Sequence, residues 1–144
     1  METQSFIPRE TKDTLEKETA FKQRIEGYWK VELEKLSSAY SLDFAIVRKG
    51  KVASFIELKC RSNMWTKYPT YMISLKKWNM CRQFHASSNL KAFLGVSFTD
   101  GDFWLDTQQV RDFEVRMGGR SDRDWTVDRE PMVHFSITNF KQWK

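Results

Sequence analysis

The nineteen residues from Leu42 to Cys60 constrain the fold more than any other stretch of the chain. Two apolar, strand-like runs, 42–48 and 51–60, flank Lys49-Gly50, and a glycine at that place suits a tight two-residue turn between antiparallel strands. Both runs are apolar on successive residues, the pattern of strands covered on both faces. In the second run the twofold alternation places Phe55, Glu57 and Lys59 on one face and Ile56 and Leu58 on the other. Burying an isolated charge is costly, so charges on a covered strand are paired or bind metal.

Charge is distributed unevenly around this hairpin. The net charge is +5, but residues 47–91 hold ten basic residues and one acid, Glu57, whereas the flanking segments carry nine acids each. Such a concentration points to a polyanionic partner, nucleic acid being the commonest; a solvated basic face is the plain alternative. Eleven Phe, six Trp and four Tyr exclude a disordered chain. No run is long enough to span a bilayer, and the first residues lack the basic-then-apolar order of a signal peptide, so no membrane partner is expected. Two cysteines, Cys60 and Cys81, make neither a disulfide framework nor a zinc site, and the expected setting is the reducing cytoplasm.

Around the hairpin the pattern predicts one mixed domain over 1–144. Residues 1–9 form a lead-in. Phe21, Ile25, Tyr28, Leu33 and Leu36 predict an amphipathic helix from Asp13 to Ala39, with Asp13 and Glu16 as a capping pair. Residues 61–71 form a loop whose Trp65, Tyr68 and Tyr71 either stack on bases or anchor the loop. Ser74 starts a second helix, Leu75 to about Ala86, with Ile73 packing at its start, Met80, Cys81 and Phe84 inward, and Asn89 as its stop. Strands follow at 91–98 and 103–106 about a turn at 99–102, a short strand at Phe113, Val115 and Met117, and a last strand at 132–137. The Gly118–Asp124 segment reads as a polar loop in which Arg120 and Arg123 either meet phosphates or pair with Asp122 and Asp124. Phe140 and Trp143 tuck the tail onto the core. His85 and His134 lie in no ligand spacing.

Asp43, Glu57 and Lys59 fit the needs of phosphodiester hydrolysis. Magnesium takes hard oxygen ligands, often one or two carboxylates completed by phosphate and water, and adjacent strands can supply Asp43 and Glu57. Lys59 would then orient a nucleophilic water or stabilise charge on the phosphorane. An exposed Glu57–Lys59 ion pair is the competing account, and Phe55 beside it and Ile56 and Leu58 behind it argue against exposure.

An acid, a turn, then Glu-x-Lys at the end of an apolar strand resembles the PD-(D/E)xK nuclease superfamily, with most similarity to small phage nucleases and Holliday-junction-resolvase-like members. The resemblance covers about residues 14–98. It implies an α/β (α+β) restriction-endonuclease-like core, a central mixed sheet flanked by helices, here with extra C-terminal strands in a β extension over 99–144. By position Asp43 matches the motif's first acid, Glu57 its second and Lys59 its lysine. Members often bring a helix glutamate to the metal, for which Glu18 is the first choice and Glu26 the second. Lys76 sits where some members contact phosphate, and Lys77, Arg61, Lys67 and Arg82 extend the expected nucleic-acid surface. No proline precedes Asp43, and the short link from helix to Asp43 leaves little room for the extra strand that many members insert.

The resemblance therefore implies a Mg²⁺-dependent deoxyribonuclease, Mn²⁺ substituting, that cuts DNA and selects branched, flap or junction structures in phage or bacterial DNA processing, in the host cytoplasm if phage-encoded. A symmetric cut of two strands usually calls for a homodimer, although no patch in the sequence identifies an interface. The alternatives are a non-catalytic nucleic-acid-binding module on the same fold and a small protein-interaction domain.

Overall fold

Apolar alternation and helical stripes assemble into two helices and two sheets in the computed structural model, which describes residues 12–120 and 128–144. The first nine residues and Arg123 lie outside the described residues. Helix α1 (Lys12–Trp29) is followed by β1 (Glu32–Lys35), β2 (Phe44–Arg48), β3 (Lys51–Cys60), β4 (Thr70–Ser74), α2 (Leu75–Ser88), β5 (Lys91–Phe98), β6 (Gly101–Asp106), β7 (Phe113–Arg120), β8 (Asp128–Ser136) and β9 (Lys141–Gln142). The larger sheet has the order β1-β2-β3-β5-β6-β9, and β4-β8-β7 form a second, three-stranded sheet. Only β3 and β5 pair in parallel, Glu57 opposite Leu94 and Lys59 opposite Val96; every other described pairing is antiparallel. No described helix is long and apolar enough to cross a membrane.

The hairpin forms as its sequence implies. Lys49 and Gly50 both take positive φ, 51° and 76°, the backbone of the turn that matches strand twist. A register shift between Ile46 and Val47 adds a bulge near the tip. The alternation in β3 then divides the core. Ile56 and Leu58 join Phe21 and Ile25 of α1, together with Trp143, on one face. Phe55 meets Phe84 of α2 on the other, ring centroids 4.9 Å apart, beside Cys81, Ala92 and Leu42. Phe21 and Ile25 are fully buried, each contributing about 1.5–3 kcal/mol. Opposite Leu58, Gly95 leaves room for Trp143: a Cβ there would lie 3.2–3.3 Å from Leu58, Ile56 and the Trp143 ring.

Helix α1 ends ten residues earlier than its periodicity suggests. Lys30 adopts the left-handed conformation (φ 55°), and the Val31 N–H donates to the Glu26 carbonyl at 3.2 Å, the 6→1 bond of a Schellman stop. Glycine usually takes that position; a lysine there hides the stop. The side chain of Glu26 then accepts from Leu33 N at 2.9 Å, drawing the chain into β1. The extra strand for which the link looked too short is therefore present at 32–35. Asp13 lies inside the first turn of α1 and pairs with Lys17 at 3.3 Å rather than capping with Glu16.

Helix α2 follows the sequence closely. Ser74 caps it by accepting from Lys77 N at 3.1 Å, and Asn89 ends it with φ 63°. Ile73 and Trp78 meet in one buried cluster, the staple expected at its start. Tyr71, expected in the loop, belongs with Ile73 to β4: they face a core that receives Val133 and Phe135 across the register from β8. Gly118–Arg120 continue β7 instead of opening a loop. Strand β8 begins at Asp128, and Ile137 starts a single 3₁₀ turn after it. Phe140 and Trp143 are buried, and β9 between them closes the large sheet beside β6.

Candidate active site

Asp43 immediately precedes β2, one step beyond the pairing of Phe44 with Ile56, which brings it level with Glu57. Two hydrogen bonds fix it: its Oδ2 accepts from Leu58 N at 2.9 Å, and its carbonyl accepts from Leu36 N at 2.9 Å. Its Oδ1 lies 3.7 Å from Lys35 Nζ. Glu57 is 2% exposed, with Lys77 Nζ at 3.3 Å from Oε1 and Lys59 Nζ at 3.7 Å from Oε2. Burial pushes the Glu57 carboxyl above its ordinary 4.5, and the nearby Asp43 charge pushes the same way, against Lys77 and Lys59. Asp43 thus adds to the cost that burial places on the Glu57 charge, a cost that a cation beside the two carboxylates would relieve.

Glu57 and Lys59 do form an ion pair, but a buried carboxylate half of it removes the exposed-face account. Lys59 itself is 45% exposed in its side chain, so its amine, paired with Glu57, is also open to solvent.

The remaining predicted residues fall into three groups. Lys77, expected to face DNA, instead turns inward: its amine donates to Glu57 and to the Ser41 carbonyl. The reason is the helical stripe. Lys77 shares the inward row with Cys81 and Phe84, and that row was visible in the sequence, so the inward lysine could have been read from it. Lys76 and Lys67 are exposed, and Lys67 Nζ lies 5.5 Å from the Tyr68 ring centroid. Arg61 donates to the Tyr71 hydroxyl at 3.1 Å. Arg82 is drawn away from any DNA-facing group, because its guanidinium lies 4.9 Å from the Trp78 ring centroid and donates to the Val110 carbonyl at 3.3 Å.

Neither helix glutamate joins the pair. Glu18 is half-buried, and its charge is felt at Cys60, where burial first and Glu18 second raise the thiol. Cys60 belongs with Ile56 and Leu58 on the α1 face of β3, whereas Glu57 points to the α2 face. Glu26 is occupied by Lys22 at 3.2 Å and by Leu33 N. Among the described residues no three His, Cys, Asp or Glu side chains come together as a metal-binding group. The donors on the α2 face are therefore the carboxylates of Asp43 and Glu57, a hard-oxygen pair of the kind that holds magnesium with water and phosphate completing its shell.

Sequence reasoning missed a polar network on the α1 side. Asp102 accepts from Arg24 Nε at 2.6 Å and Nη2 at 3.0 Å, from Ser97 Oγ at 2.7 Å and from Tyr28 Oη at 2.8 Å. It ties α1 to the β5–β6 hairpin. Arg24 and Asp102 stand far apart in the chain, and no local pattern links them.

Comparison with known proteins bears on the family and the fold. A family model described as phage putative PDDEXK endonuclease matches residues 7–143, well past the residue 98 at which the resemblance in the sequence stopped. The structure is similar to that of Hjc, a Holliday junction resolvase from Archaeoglobus fulgidus. The TM-score is 0.53 at 11% identity, covering 88% of this chain and 91% of that one. At that identity the likeness shows the fold, a mixed sheet between helices of the restriction-endonuclease-like kind. No curated protein matches the chain.

Proposed function

The chain belongs to the phage putative PDDEXK endonuclease family, and from that premise we propose that Asp43, Glu57 and Lys59 are the working groups of a Mg²⁺-dependent DNA endonuclease. The observation that carries the assignment is Glu57, a buried carboxylate level with a second acid and bordered by Lys59 and Lys77. Asp43 and Glu57 would hold the ion. Bound magnesium supplies Lewis-acid polarisation of a phosphate oxygen and lowers the pKa of a coordinated water.

The chain's own residues set the rest. The Leu58 N–H and the β2–β3 register fix the Asp43 carboxylate against Glu57. Lys77 keeps Glu57 oriented from the α2 side. The Lys59 amine lies at the rim, where it can donate to the attacking water or to a non-bridging phosphate oxygen as charge develops. Lys76 and Lys67 provide exposed cations for backbone phosphates, contacts that position DNA without reading its sequence. Structure-selective cutting of branched, flap or junction DNA is consistent with the fold shared with Hjc. We propose action in the host cytoplasm, and as a homodimer where two strands are cut symmetrically.

The test is incubation of the protein with branched, nicked and linear DNA in Mg²⁺, Mn²⁺ or EDTA. Metal-dependent cutting that disappears in Asp43→Ala and in Lys59→Ala is expected. Cleavage unchanged in both variants, or no cleavage of any DNA, contradicts the proposal.

A further inference from the structure

Beyond the end of β3 lies a cavity of about 480 Å³ that the hydrolytic groups do not use. Its volume falls in the range of about 300–1,000 Å³ typical of small-ligand sites. Trp65, Tyr68, Tyr71 and Met72 line it with apolar and ring surface, and Arg61 and His134 add polar groups. Two of the rings are held rigidly. Trp65 stacks on Phe103 with centroids 4.6 Å apart, and its indole N–H donates to the Ile137 carbonyl at 3.1 Å. Tyr71 is buried, with its hydroxyl accepting from Arg61. Tyr68 and Met72 differ: they are 55% and 48% exposed, which leaves apolar surface at the mouth of the cavity.

One lining residue, Arg61, lies just past the end of β3, the strand that carries Glu57 and Lys59. Arg61 follows Lys59 by two residues, roughly 7 Å along an extended chain, or about two base-pair rises. A group that fills this space while a phosphate sits at Lys59 can therefore belong to the same DNA strand, one or two nucleotides from the cut.

We propose that the cavity takes one unpaired nucleobase beside the scissile phosphate, so that the enzyme selects DNA with an unpaired nucleotide at the cut. The proposal rests on the endonuclease assignment above and narrows its substrate. Ring walls stack on the face of any base, which gives binding without sequence preference. The guanidinium of Arg61, 5.5 Å from the Tyr71 ring centroid, can hydrogen-bond to a base edge or to the adjoining phosphate. A base inside intact duplex must first be unstacked and unpaired to enter, whereas an unpaired base does not carry that cost.

The experiment uses 2-aminopurine as the reporter base, placed at an unpaired nucleotide flanking a nick or within a fully paired duplex. Binding is measured in EDTA, so that it is read apart from cleavage. Wild-type protein is expected to quench the unpaired reporter and not the paired one. Tyr68→Ala is expected to lose the quenching and bind the unpaired substrate roughly 5- to 150-fold more weakly, the range of one lost stacking contact, while Tyr68→Phe keeps both. Quenching without metal-dependent cutting of any DNA supports the cavity assignment and removes the endonuclease one. Cutting without quenching, or Tyr68→Ala matching wild type in both readouts, overturns the cavity assignment and leaves the nuclease standing.

Discussion

Asp102 and Glu57 are both buried carboxylates in the large sheet, 8% and 2% exposed, and they are treated in opposite ways. Asp102 receives four hydrogen bonds of 2.6–3.0 Å from Arg24, Ser97 and Tyr28. Burial alone would raise its pKa, but those bonds outweigh it and hold the carboxyl below 3.8. Glu57 has two ammonium contacts at 3.3 and 3.7 Å, a second acid level with it, and a raised pKa. A saturated carboxylate serves the fold, here by pinning α1 to β5 and β6. An under-satisfied one, kept where burial penalises it, is available to something the protein binds.

Exchanging each acid for its amide separates the two roles. Glu57→Gln should lower metal-dependent cleavage by roughly a thousandfold or more, since a lost metal ligand removes several kcal/mol of transition-state stabilisation. Asp102→Asn should cut DNA at the wild-type rate while folded, as measured by single-turnover assays below its unfolding transition. Its cost is to stability, about 2–3 kcal/mol in urea unfolding, because it gives up charge-assisted bonds to a partly exposed arginine. A smaller effect follows at Lys77, whose amine touches Glu57 on the side away from Lys59. Lys77→Met should weaken apparent Mg²⁺ affinity about tenfold, the scale of an outer-shell orienting contact, read as a shift in the Mg²⁺ dependence of cleavage.

The same contrast extends to pH. Asp102 titrates lower folded than unfolded, so its contribution to stability is present above about 3.8 and is lost as pH falls through the folded value. Glu57 titrates higher folded than unfolded. Its contribution is present below 4.5 and is lost as pH rises through the folded value. In EDTA, urea midpoints should therefore show Glu57→Gln more stable than wild type near pH 7, with the gap closing toward pH 4. The deficit of Asp102→Asn should instead be full at pH 7 and shrink below pH 4. Parallel curves for the two variants would erase the distinction.

The sequence disclosed one side of this comparison and concealed the other. Glu57 stood out because it is alone among ten basic residues and sits in a strand whose alternation fixes its face. The Ser74 cap, the Asn89 stop and the β5–β6 hairpin were legible for the same reason: local chemistry determines them. The end of α1 was not, since Lys30 takes a left-handed position that glycine would have advertised, and apolar spacing runs on into β1. Asp102 read as one of four turn residues because Arg24 is a tertiary partner. The second sheet was obscured because β4 is five residues long, has apolar Met72 between Tyr71 and Ile73, and runs straight into the Ser74 cap of α2; Glu18 was chosen from its place three residues before Phe21 together with the family pattern, and neither fixes which side chain it meets.

The central claim is that Asp43 and Glu57 hold the divalent ion, and calorimetric titration with Mn²⁺ tests it most directly. Wild type and Asp102→Asn are predicted to show the same saturable binding, and Asp43→Ala and Glu57→Gln to show none. Undiminished Mn²⁺ binding in folded Glu57→Gln would contradict the claim.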